Sequence, residues 1–174
     1  MRSLPRAGGR TRLIDYRDRV KIALMDSGIG LLAATAAVRR LRPDADLVLS
    51  LDPDGMPWGP RTPQDLTARA LAVAEAAAAR RPDALIVGCN TATVHALTAL
   101  RARLEPALPV VGTVPAIKPA AAGDLTPHDV TTVVLGCTHY ELVTERIRAA
   151  VQRPNLPPLV LHGSAGAVAA QSLR

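Results

Sequence analysis

The chain has 174 residues, 48% hydrophobic and 21% charged, which fits one ordinary domain or two small ones and excludes a disordered polymer or a membrane-spanning one. The formal charge is +6, but residues 1–19 contribute six Arg against two Asp, and the whole chain has only Tyr16, Trp58 and Tyr140 as aromatics, so the stacking rings of a nucleic-acid binder are missing. Two cysteines, Cys89 and Cys137, make neither a disulfide framework nor a zinc knuckle and point to a reducing cytoplasm.

Residues 1–19 are Arg-rich, contain Pro5 and Gly8-Gly9, and lack the apolar core of a secretory signal; they are predicted to be a disordered basic extension. From Val20 onward apolar runs alternate with helical patterns. VKIALM (20–25) predicts a strand, 31–41 a helix closed by Pro43, and DLVLSL (46–51) a second strand. A loop dense in Pro and Gly spans 52–61. A helix is predicted over 63–81, capped by Thr62 with Pro63 in its first turn. ALIVG (84–88) is the third strand, 91–104 a helix, PVVGTV (109–114) the fourth strand and TTVVLG (131–136) the fifth. A helix over 140–152, a sixth strand over 158–163 and a short Ala-rich helix complete the pattern.

Alternating strands and helices, with continuously apolar strands, predict an α/β fold built on a parallel sheet covered by helices on both faces. A flavodoxin-like, doubly wound first domain is expected over 20–114, and a truncated second α/β lobe with a closing segment over 115–174. Ligands of such sheets sit outside the carboxyl ends of the strands. That rule selects Asp26-Ser27-Gly28, Trp58-Gly59, Cys89-Asn90-Thr91, Thr113 and Cys137-Thr138-His139.

Both cysteines follow an apolar strand and a glycine and precede a polar pair and a helix: ALIVGCNTATVHAL and TTVVLGCTHYELV. A thiol near a helix amino terminus is expected to have its pKa pulled toward neutrality. One such cysteine reads as core packing; two in the same local context argue for chemistry. The sequence has no Cys-x-x-Cys redox motif and too few ligands for a metal site. Two options remain open: a single nucleophile with His139 as its base, or a symmetric proton exchange with one base on each face of a carbon. Structural roles compete at the other positions. Asp26-Ser27-Gly28 can be a cap and tight turn, His139 a cap, Trp58 a surface packing residue, His95 a helix residue and Ala76–Ala79 helix filler.

MDSGIG (25–30), MPWGPRT (56–62), GCNTAT (88–93), PVVGTVPAIKPA (109–120), LGCTHY (135–140) and HGSAGAVA (162–169) together resemble glutamate racemases of the aspartate/glutamate racemase superfamily, in family order from Lys21 to Gln171. The resemblance implies a cofactor-independent, two-base racemisation of glutamate for peptidoglycan precursor synthesis. By that resemblance Cys89 and Cys137 exchange the proton, Asp26 assists Cys89, and His139 assists Cys137. Ser27, Trp58, Gly59, Asn90, Thr91 and Thr138 hold the substrate. The expected partner is a small acidic amino acid, with no nucleic acid and no membrane.

The chain departs from the family pattern in four places. Leu31 stands where the family has a second glycine and is expected to crowd the turn. Trp58 replaces a tyrosine, and Glu141 replaces a proline. Between Pro119 and Val133 a short linker replaces a long stretch of the second domain, including a Glu that supports the catalytic His. A second subunit, as in a homodimer, is one way to cover the shortened lobe. An inactive remnant or binding module of the same fold, and a related racemase acting on aspartate or another small acid, remain alternatives.

Overall fold

A computed structural model describes residues 19–113, 132–152 and 157–173. The extension before Arg19 and most of the linker after Thr113 lie outside the described residues, and so does the second half of the hinge-like segment 109–120. The elements are β1 (Lys21–Asp26), α1 (Leu31–Leu41), β2 (Asp46–Leu51), α2 (Pro63–Ala78), β3 (Ala84–Val87), α3 (Asn90–Leu104), β4 (Val110–Gly112), β5 (Thr132–Val134), α4 (Thr144–Val151), β6 (Val160–His162) and α5 (Ala165–Ser172). One-turn 3-10 helices occupy Pro53–Gly55, and a longer one runs over Thr138–Val143.

Four strands form one parallel sheet in the order β2-β1-β3-β4, with Ile22 opposite Leu47 on one side and Ala84 on the other. β5 and β6 form a separate two-stranded parallel sheet. Successive side chains of a strand point to opposite faces, and here both faces are buried. Ala23, Met25, Leu85 and Val87 pack with Leu66, Ala70, Ala74, Ala92, Ala96 and Leu100 of α2 and α3. Ile22, Leu24 and Ile86 pack on the other face with Leu31, Ala34, Ala37 and Val38 of α1 and with Ala165, Val168 and Ala169 of α5. This two-sided burial is why β1 and β3 read as unbroken apolar runs. Within the alanine stretch 76–79 only Ala77 is buried; with Ala70 and Ala74 it recurs at helical spacing on the core face.

Thr62 caps α2 as predicted, its hydroxyl accepting from Asp65 N at 3.3 Å. The helix stops at Ala78, short of the expected Arg81, because Arg81 turns left-handed (φ 53°) ahead of Pro82. A single helix over 140–152 is also corrected. Residues Thr138–Val143 wind as 3-10 and α4 begins at Thr144. Leu31 does not crowd its turn. It points into the core, fully buried against the α1 face of the sheet.

The chain leaves β1 for α1 on one face and leaves β3 for α3 on the other. Neighbouring strands whose helices depart to opposite faces open a crevice at their carboxyl ends. Asp26 ends β1 and Cys89 follows β3, so both sit at that crevice.

Candidate active site

Asp26 is fully buried. Its Oδ1 accepts from Ser27 Oγ at 3.2 Å, and its Oδ2 accepts from Thr138 Oγ1 at 3.0 Å. The second contact joins residues 112 positions apart. Ser27 Oγ also lies 3.9 Å from Cys89 Sγ. Cys89 is the residue before α3, where the first N–H groups of a helix lack internal partners. Asn90 Nδ2 donates to Gly136 O at 2.7 Å, a second strap between the two strand tips. Cys137 Sγ lies 3.5 Å from His139 Nδ1, within hydrogen-bond reach.

These groups surround one cavity of about 470 Å³, within the range of small-molecule sites. Of the residues named from the strand ends, Asp26, Ser27, Trp58, Gly59, Cys89, Asn90, Thr91, Cys137, Thr138 and His139 line it, and Gly28 does not. Met56, Pro57 and Gly136 complete the wall. Thr113 does not reach the cavity; its hydroxyl donates to Val87 O and caps the end of β3. His95 is exposed on α3.

Two expectations about individual groups change, and the hydrogen bonds of Asn90 narrow its own. Burial pushes the Cys89 thiol up from its ordinary value, and the negative charge of Asp26 pushes it further. Backbone N–H groups of Ala92 and Ser27 pull it the other way and are outweighed. The helix amino terminus therefore does not set this thiol. Trp58 is not a surface residue: it is 1% exposed, packs against the α2–α3 core, and donates its indole N–H to Asp52 Oδ2 at 2.9 Å. Asn90 has one amide hydrogen committed to Gly136, while its Oδ1 is buried without a partner. That oxygen suits an incoming ammonium N–H better than a carboxylate.

Sequence reading missed the supports behind the wall. Asp52 receives Trp58 Nε1, Gly55 N and Arg69 Nη1. Burial raises its carboxyl, and those donors together with the Arg69 charge hold it below the ordinary range. The signal was present, since Asp52 opens the Pro/Gly loop. A Cβ on Gly30 would lie 2.8 Å from Thr138 Cβ and 2.9 Å from His139 N, so only glycine lets the turn carrying Cys137 come this close. Among the described residues no group of three His, Cys, Asp or Glu side chains is arranged to hold a metal ion. Among them, too, no helix is long and apolar enough to cross a membrane.

Comparisons with known proteins place the chain beside glutamate racemases in partial sequence and in fold. The chain is 46% identical over 101 residues to the glutamate racemase of Roseiflexus sp. (strain RS-1), covering 58% of this chain and 37% of that one. It is 43% identical over 106 residues to the glutamate racemase of Granulibacter bethesdensis, covering 60% and 38%. The chain thus spans well under half the length of these curated relatives. The crystal structure of Escherichia coli glutamate racemase with L-glutamate and an activator superposes with a TM-score of 0.79 at 24% identity, covering 89% of this chain and 81% of that one. The Thermus thermophilus enzyme with β-chloro-D-alanine gives 0.70 at 24% identity, covering 90% and 80%. At that identity the superpositions establish the shared fold. No protein-family model matches the chain.

Proposed function

We propose that this chain is a cofactor-independent racemase that interconverts L- and D-glutamate, with Cys89 and Cys137 as the two acid/base groups. The observation that supports it is the pair of thiols on one small, partly buried cavity, each beside a different assisting group. In one direction the Cys137 thiolate takes the α-proton and the electron pair stays on the carbon. The Cys89 thiol then delivers its proton to the opposite face, leaving Cys137 as thiol and Cys89 as thiolate. The reverse direction restores the first state. The raised Cys89 thiol fits a group that starts protonated, and His139 beside Cys137 fits a partner that relays that thiol's proton.

The carbanion is stabilised by fixed donors rather than a cofactor. The amino terminus of α3 and the Thr91 hydroxyl suit a carboxylate, and the unpaired Asn90 Oδ1 suits the ammonium group. The product D-glutamate would serve peptidoglycan precursor synthesis.

Purified protein in deuterated water with L-glutamate tests the reading by proton NMR. The α-proton signal is expected to disappear, and Cys89→Ala or Cys137→Ala is expected to slow its loss by about 10²–10⁴-fold, the usual share of a general acid or base. No exchange by a folded protein would leave a binding module. Exchange with aspartate but not glutamate would move the substrate to the shorter acid.

A further inference from the structure

We propose that Glu141 is a positioning residue that fixes the turn bearing Cys137 and His139 against the body of the protein. Glu141 lies in the 3-10 helix that begins directly after Cys137. Its Oε1 accepts from Ser164 N at 2.6 Å, from Ser164 Oγ at 3.0 Å and from Ala165 N at 3.1 Å. Those donors form the start of α5, where Ser164 itself makes no side-chain cap. A carboxylate at a helix amino terminus satisfies orphan N–H groups and meets the positive end of the helix dipole.

The far side of α5 is locked. Ala165, Val168 and Ala169 are buried against Leu31, Ala34 and Val38 of α1, and α1 follows the Asp26-Ser27 tip of β1. Glu141 therefore ties the second thiol's turn, through α5, to the helix that directly follows the Asp26-Ser27 wall. Asn90 to Gly136 and Thr138 to Asp26 hold that turn from the cavity side. Glu141 is the third tether, and it pulls from the outside. A Cβ at Gly163 would lie 2.6 Å from Glu141 Oε2 and 2.8 Å from its Cγ, so the glycine is what admits the carboxylate. Among the described residues the sheet beside this turn has two strands, β5 and β6, so a side-chain tether adds to a small backbone framework.

The test compares iodoacetamide labelling of the two thiols by mass spectrometry in the full chain, Glu141→Ala, Glu141→Gln and Gly163→Ala. Cys137 is expected to label about fivefold faster in Glu141→Ala and in Gly163→Ala, with Cys89 unchanged within about twofold, because only the tethered thiol becomes more open to solvent. Glu141→Gln keeps one acceptor oxygen and is expected to fall between. The role in turnover rests on the racemase reading: kcat for glutamate exchange should fall about tenfold with KM within about threefold, as a small misplacement of one reacting group predicts. Equal acceleration of both thiols means general loosening and overturns the proposal, as does no change in either. If the unaltered protein exchanges no glutamate, the racemase reading fails while the labelling ratio still decides the tether.

Discussion

At the residue scale the two thiols are unlike, although their flanking sequences look alike. Cys89 is 5% exposed beside Asp26, whereas Cys137 is half-buried beside His139. Burial and the Asp26 charge both disfavour the Cys89 thiolate, so Cys89 must ionise at a higher pH than an ordinary cysteine. Alkylation consumes thiolate, and its rate at Cys89 should rise with a midpoint above the ordinary thiol value. Asp26→Asn removes the repelling charge and should move that midpoint to lower pH. A peptide-resolved pH profile of iodoacetamide labelling checks this. A midpoint that stays or rises in Asp26→Asn contradicts the electrostatic account. None of this asymmetry is legible in GCNT and GCTH, because it comes from neighbours brought in by the fold.

Among the elements, the strands and their tips were the legible part. The apolar runs of β1 and β3, buried on both faces, have one simple solution, and the residues after them fall at the crevice by topology. Strand ends therefore delivered Asp26, Cys89 and Cys137 with their neighbours. What stayed hidden depends on contacts between distant segments. The hydroxyl of Thr138 donates to Asp26 across the cavity, a contact between residues 112 positions apart. Glu141 looked like a mere departure from a proline and turned out to cap α5. The helix expected from 140 starts late: Thr138–Val143 wind as 3-10, with Thr138 and His139 close to Gly30. Gly30 itself has ordinary right-handed backbone angles (φ −54°, ψ −26°), so alanine there costs no backbone strain. Its methyl group would meet Thr138 and His139 instead. Gly30→Ala should lower stability by about 1–3 kcal/mol, as overpacking does, and cut glutamate exchange at least tenfold. Urea unfolding followed by circular dichroism, paired with the NMR exchange assay, measures both. Full exchange activity in a stable Gly30→Ala protein would show that the close approach is dispensable.

At the scale of the whole molecule, the described residues place two thiols on one cavity, one after a strand of the four-stranded sheet and one after a strand of the β5–β6 sheet. The straps across the cavity, Asp26 to Thr138 and Asn90 to Gly136, each join a tip of the larger sheet to the turn after β5. Glu141 adds contacts to the start of α5 from the other side of that turn. A hydrogen bond of this kind contributes about 0.5–1.5 kcal/mol, more where a charged partner takes part, so the set is strong enough to matter against a small interface. The most direct measurement follows the label at early conversion of L-glutamate in deuterated water. Two separate groups, one taking and one giving, should place deuterium at the α-carbon of newly formed D-glutamate while recovered L-glutamate keeps its protium. Deuterium appearing equally in both enantiomers, or in neither, would contradict paired thiols acting across a single cavity.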